Sequence, residues 1–406
     1  MQFPRVFLRQ HGRWLLLASL VALLSGTASA VFLMALDWAT RTREAHPGLL
    51  AGLPLMGMAV GWVYWRLGRS VERGNNLLID EIHDPQQVVP LRMAPLILLS
   101  TVLSHLFGAS VGREGTAVQM GGALADQLTH LARLRADDRS LLLMTGISAG
   151  FGSVFGTPLA GAVFALEVLA IGRLKYDALW PCLLSAVLAD QVCRAWGIQH
   201  AHYLVDSVPA WSAGCLLAVA LVGIGAGWVG RGFAASAHAL SAFMTRQFSW
   251  APWRPLVGGT VLALLTWGLD AHRYAGLSLA GLSEAFVQPL PGWDWLAKAA
   301  FTVGALGTGF KGGEVTPLFY IGATFGNALA PWLHQPLAWM AALGMVAVFA
   351  GAANTPLACT LLAVELFGAD VAVTAALACV LSYLASGHAG IYKAQRVERR
   401  KHRLLP

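Results

Sequence analysis

Two carboxylates, each set in a glycine-rich bend, are the residues of this chain whose type and spacing could do chemistry. Glu114 lies in Ser110-Val-Gly-Arg-Glu-Gly-Thr-Ala-Val-Gln119, at the head of an apolar segment. A bend that runs into a helix aims unpaired backbone N–H groups and the positive end of the dipole at one spot, which makes an anion site without a cation. A carboxylate is itself an anion. Ionised Glu114 can therefore fill such a site and protonated Glu114 can leave it, exchanging a proton for a bound anion in one movement. Pairing of Glu114 with Arg113 at a wet helix end fits the same spacing equally well. The second bend is Gly307-Thr-Gly-Phe-Lys-Gly-Gly-Glu-Val-Thr-Pro317. Pro317 suits an early helix turn, where its missing N–H is harmless, and leaves the N–H groups of Glu314 and Val315 free for an anion beside the Thr316 hydroxyl. A third breaker, Arg73-Gly-Asn-Asn-Leu77, offers two carboxamides as donors. Plainer accounts exist, since Asn-rich turns and Gly-Gly bends are common.

The elements that must hold these groups belong to a membrane protein. Of 406 residues, 56% are hydrophobic and only 12% charged, against about 25% charged in soluble proteins. Mean hydropathy is +0.60, so most of the surface faces a bilayer and an ordinary cytosolic enzyme is excluded. The net charge of +7 forms no stripe for nucleic acid. The basic residues gather at the ends (Arg5, Arg9, Arg13; Arg396, Arg399, Arg400, Lys401, Arg403) and in connections such as Arg133–Arg139 and Arg173–Lys175. That pattern predicts cytoplasmic termini and an even number of crossings. The first dozen residues form either a short interfacial helix or a basic flank of the first span. Trp14–Met34 is too long for the core of a cleavable signal. Cys182, Cys193, Cys215, Cys359 and Cys379 sit in apolar stretches without ligand spacing and read as packing residues; neither disulfide, metal nor cofactor is expected.

Trp14–Met34 and Trp211–Val229 are long enough to span, as is Leu337–Ala353 with tilt, whereas Ala94–Phe107 and Leu256–Leu269 are short. The 44 Gly and 18 Pro require helices that start and stop within the membrane, which is possible where freed backbone lines a cavity or packs on protein. Such helices are usual in transporters. An internal repeat accompanies them. Gly112-Arg-Glu-Gly-Thr116 is answered by Gly312-Gly-Glu-Val-Thr316. Thr157-Pro-Leu-Ala160 leads to Glu167, and Thr355-Pro-Leu-Ala358 leads to Glu365, each ten residues after the Thr. Gly121-Gly-Ala-Leu-Ala125 and Gly326-Asn-Ala-Leu-Ala330 add a weaker match. Two halves, about 14–195 and 210–395, should meet at a midplane site, with no soluble regulatory domain appended.

Taken together, the two glutamate loops, the paired Thr-Pro-Leu-Ala helices and Gly390-Ile-Tyr392 resemble the CLC family of chloride channels and anion/proton antiporters, over about residues 14 to 395. The resemblance implies one all-α polytopic domain with two inverted halves of tilted, broken helices, and a homodimer with one pore per subunit. Departures from the usual pattern are informative. Chloride-handling members carry Gly-Ser-Gly-Ile-Pro, but Asn75 takes the Ser position here, and Glu314, Val315 and Thr316 replace Ile, Phe and Ala of the third loop. These changes look like the bacterial fluoride/proton antiporter branch. The acid that follows the position of Glu167 in proton-coupled chloride members is Val168 here.

On this resemblance the chain exports fluoride from the bacterial cytoplasm across the inner membrane in exchange for protons. Glu114 and Glu314 gate and carry protons, and Asn75, Arg113, Gly115, Glu314, Val315, Thr316 and Tyr392 hold the anion, with Tyr392 closing the site from the cytoplasm. A protonated acid can donate to fluoride, the strongest hydrogen-bond acceptor among the halides; an ionised one repels it. Glu167 and Glu365 are assigned a structural role. A chloride channel or chloride/proton antiporter of the same fold is the alternative. A more distant one is an intramembrane serine hydrolase, since Gly146-Ile-Ser-Ala-Gly150 fits GxSxG at Ser148, although helix packing explains those small residues better. Asp80, Glu81, His83 and Asp84 read as a polar loop rather than a metal cluster, His200-Ala-His202 as a wet loop, and the 15 Trp mostly as interfacial belts.

Overall fold

Prolines and left-handed residues mark the ends of several helices. In the computed structural model, which describes residues 3–201 and 203–401, the first half holds α1 (Phe3–Ala45), α2 (Leu53–Val63), α3 (Asn75–His83), α4 (Met93–Leu106), α5 (Glu114–Asp126), α6 (Leu128–Leu131), α7 (Ala136–Phe155), α8 (Pro158–Glu167) and α9 (Leu179–Ala195). The second half holds α10 (Ala213–Gln247), α11 (Trp253–Gly268), α12 (Leu279–Glu284), α13 (Asp294–Gly307), α14 (Val315–Leu333), α15 (Leu337–Ala353), α16 (Pro356–Phe367) and α17 (Ala372–Ala385). A two-residue parallel ladder, Ala170–Ile171 against Arg396–Val397, ties the C-terminal segment to the end of α8.

The repeat seen in the sequence is a repeat of backbone. Helix α7 ends on Gly156 at φ 73° and α15 on Asn354 at φ 59°, the left-handed conformation that closes a helix. Thr157 and Thr355 follow with nearly the same dihedrals, and Pro158 and Pro356 open the next helices. Close packing repeats too. A Cβ on Gly121 would lie 2.2 Å from the Gly146 oxygen, and one on Gly322 would lie 2.3 Å from the Gly344 oxygen. Small residues thus let α5 meet α7, and α14 meet α15, backbone to backbone.

His11–Ala45, Pro47–His83 and Ala213–Gln247 are long and apolar enough to cross a membrane. The first and last correspond to the runs expected to span. Leu337–Ala353 is different, because α15 is buried from Trp339 to its end and its apolar surface meets protein rather than lipid. Among the described residues, the N-terminal segment belongs to one helix, α1, continuous from Phe3. All five cysteines are buried and free. Arg139, expected in the basic fringe, is instead buried, with Asp126 at 2.8 Å and Glu81 at 2.9 Å.

Candidate functional site

The two glycine-rich bends are joined to each other. Gly112 and Gly313 form an antiparallel bridge, with Gly112 N donating to Gly313 O at 2.6 Å and Gly313 N donating to Gly112 O at 2.7 Å. Only glycine allows this approach. A Cβ on Gly313 would sit 2.6 Å from the Gly115 nitrogen, and one on Gly112 would sit 2.8 Å from Pro317 Cδ. The starts of α5 and α14 are therefore held side by side, and each brings its first-turn groups to the other's residues.

Glu114 occupies the result. Its Oε2 accepts from the Thr316 N–H at 3.0 Å, and its Oε1 accepts from the Thr316 hydroxyl. Arg113 approaches from its own side, with Nε at 3.3 Å from Oε1 and the backbone N at 3.2 Å from Oε2. Glu114 thus meets the first-turn donors of α14 and Arg113 together. The pair is not wet, since the Glu114 side chain is 1% exposed. The backbone donor to Glu114 is Thr316, the second residue of α14, whose N-cap is Glu314.

On the other side of Gly115 lie Asn75 and Glu314. A Cβ on Gly115 would be 3.1 Å from Asn75 Nδ2 and 3.6 Å from Glu314 Oε2, so the bare Gly115 Cα is the wall between the two. Asn75 Oδ1 and Glu314 Oε2 are buried without a hydrogen-bond partner. Buried acceptors left this way cost free energy and mark places where a donor, such as a proton on Glu314 itself, belongs. Both line a cavity of about 170 Å³ together with Tyr392, Asn76, Gln119 and Lys311. Tyr392 is buried, its ring edge-on to Phe164 at 6.3 Å. Two bonds fix its segment: Ile391 N donates to Ala352 O and Ala394 N donates to Asn76 Oδ1, both at 2.9 Å. Beyond Glu114, Phe155, Tyr203, Leu282 and Phe319 leave a cavity of only about 20 Å³.

The sequence reading missed Asn76 as the anchor of the Tyr392 segment and Lys311 as a lining residue; the Asn-Asn pair and the Lys within the second bend were the available signals. Other motifs resolve differently from the site. Ser148 is buried and donates to the Cys182 carbonyl at 2.8 Å, while Gly146 and Gly150 press against the α5 backbone. GxSxG here is helix packing. Asp80, Glu81 and His83 lie on α3, not in a loop: Asp80 pairs with Arg73, Glu81 with Arg139, and His83 meets the Leu169 carbonyl. No metal-holding group occurs among the described residues. His200 is not solvated either; its ring is 3% exposed and 3.4 Å from Asp190, while His202 lies outside the described residues.

The sequence and the fold also match known proteins. A family model described as voltage gated chloride channel covers residues 56–387. A Pseudomonas syringae pv. tomato protein named chloride/fluoride channel protein is 59% identical over 401 residues, spanning 97% of this chain and 89% of its own. A crystal structure of a CLC-type fluoride/proton antiporter superposes with a TM-score of 0.93 at 34% identity, over 95% of this chain and 98% of that one. The structure of a slow cyanobacterial Cl⁻/H⁺ antiporter superposes at 0.82 with 21% identity, over 94% and 96%, and shares the fold.

Proposed function

The chain belongs to the voltage gated chloride channel family, a membrane transporter and not an enzyme, and on that premise we propose that it exports fluoride in exchange for protons. The carrying observation is the arrangement of two carboxyls on either side of Gly115. Glu114 fills the donor site of α14, while Glu314 Oε2 and Asn75 Oδ1 stand buried and unpartnered across from it. Ionised Glu114 competes with an anion for the Thr316 N–H and hydroxyl. Protonated, it loses that claim, and fluoride takes the site as the carboxyl swings away with its proton. Glu314 in its neutral form donates to fluoride, Asn75 offers Nδ2, and Tyr392 closes the cavity behind them. Arg113, Gly115 and Val315 shape the same donor site from the two helix starts. Two copies would assemble as a homodimer. Both termini would face the cytoplasm of a bacterial inner membrane.

A passive fluoride or chloride channel is the second reading, favoured by Val168, whose buried apolar side chain cannot relay a proton. Proteoliposomes loaded with fluoride or chloride, with external anion and pH recorded together, separate these. Fluoride efflux accompanied by opposing proton movement supports the proposal. Efflux of fluoride without protons makes the protein a channel, and chloride leaving faster than fluoride overturns the ion assignment.

A further inference from the structure

The inner cavity opens into a larger vestibule of about 500 Å³, and Glu314 lines both. The vestibule wall carries four cations, Arg73, Arg254, Lys311 and Lys393, against two carboxyls, Glu72 and Glu314. Arg254 and Lys393 line the outer space only; Arg73 and Lys311 line both spaces. Arg73 is ion-paired with Asp80 and its side chain is 61% exposed. Lys311 is half-buried, and its ammonium rests on the face of the Tyr64 ring, 4.3 Å from the centroid. An aromatic face holds a cation without cancelling its charge as a carboxylate does. Glu72, exposed and lining both spaces, tempers that charge. Lys311 also precedes Glu314 by three residues in the glycine-rich bend, so its backbone is part of the loop that builds the site.

Taking the proposed fluoride export as given, we infer that Lys311 is the residue that draws the anion from the vestibule to the inner cavity. A charge in a narrow mouth with low-dielectric walls concentrates counter-ions and speeds their entry. The Tyr64 ring keeps the ammonium at the neck, and the cavity floor offers Asn75 and Tyr392 as the next contacts. Lys311 does not bind the anion at the exchange site; it raises the local concentration from which that site fills.

The test is initial fluoride efflux from proteoliposomes as a function of loaded fluoride, at low and high ionic strength set by an impermeant salt. For the unmodified protein the half-saturating concentration should rise with ionic strength, because screening weakens a charge at a water-filled mouth. Lys311→Met should raise the half-saturating concentration about tenfold at low salt, leave the maximal rate close to normal and weaken the salt dependence, the remainder coming from Arg254 and Lys393. Lys311→Arg should restore it. Tyr64→Leu, which keeps the charge, should retain the salt dependence. A structural role would instead lower the maximal rate in Lys311→Met and Tyr64→Leu alike with half-saturation unchanged, and that result overturns the inference. So does a salt-independent half-saturation in the unmodified protein, which needs no variant. Chloride transport in place of fluoride, with the same dependence on Lys311, would overturn the fluoride assignment and leave the role of Lys311 standing.

Discussion

Glu167 and Glu365 cap each other's helices. Glu167, at the end of α8, accepts from the N–H groups of Leu357 and Ala358 at the start of α16, at 3.1 and 2.9 Å. Glu365, near the end of α16, accepts from Leu159 and Ala160 at the start of α8, at 2.9 and 2.8 Å. Equivalent helices of the two halves therefore run antiparallel, each carboxylate meeting the free N–H groups and positive dipole end of the other. This is the relationship an inverted duplication requires.

Removing either cap should destabilise the fold without uncoupling transport. Glu167→Ala strands one buried and one part-buried donor and should cost about 2–3 kcal/mol, with Glu365→Ala costing less because that carboxylate is only half-buried. Thermal unfolding in detergent measures the loss. Proton exchange should persist in Glu167→Gln, and its disappearance would make Glu167 a proton relay after all.

Glu114→Gln removes the ionisable group that competes for the Thr316 donors. Opposing proton movement in proteoliposomes should vanish, and any fluoride that still moves should do so uncoupled. Retained proton exchange would remove Glu114 from the proposed cycle.

Thr316→Val keeps the backbone donor and deletes the hydroxyl that meets Glu114 Oε1. Loss of one hydrogen bond worth about 1–1.5 kcal/mol predicts roughly tenfold weaker fluoride binding by calorimetry. An unchanged affinity would mean that the hydroxyl serves the carboxylate alone.

Gly313→Ala puts a methyl 2.6 Å from the Gly115 nitrogen, where backbone rather than a flexible side chain must move. Transport should be lost while size-exclusion behaviour and helix content stay near normal, because the clash lies at the joined bends and not in the helix packing. Wild-type flux would show that the bridge yields without consequence.

Asn75→Ser exchanges a carboxamide for the hydroxyl usual in chloride-handling relatives. The ratio of chloride to fluoride efflux should rise; a constant ratio would move selectivity to Glu314 and Thr316.

Much of this architecture was legible because it is written in residues with few conformational options. Pro158 and Pro356 open helices, Gly121 and Gly322 admit close neighbours, and the two glutamate loops repeat in order. What escaped depended on phase or on distant partners. Which N–H of a first turn takes a carboxylate shifts with a single residue, and nothing in the spacing singled out Thr316 as the donor to Glu114. Arg139 looked like fringe charge until Asp126 and Glu81 came within reach across α3, α5 and α7. His200 is buried by Asp190 and by its contact with Gly156, neither visible from a polar tripeptide. Lys311 acquires meaning only through the Tyr64 ring and the two cavities it joins.

The bridge between Gly112 and Gly313 also bears on ancestry. A half-length forerunner would have had to pair with an identical copy to build it, presenting the same loop and the same carboxyl from both sides. Neither loop could then have changed without changing the other. Fusion into one chain released that constraint, and the two glutamates now differ: one bound by an arginine and a threonine, the other left open beside an asparagine. Two identical halves could not carry that asymmetry; a single joined chain can.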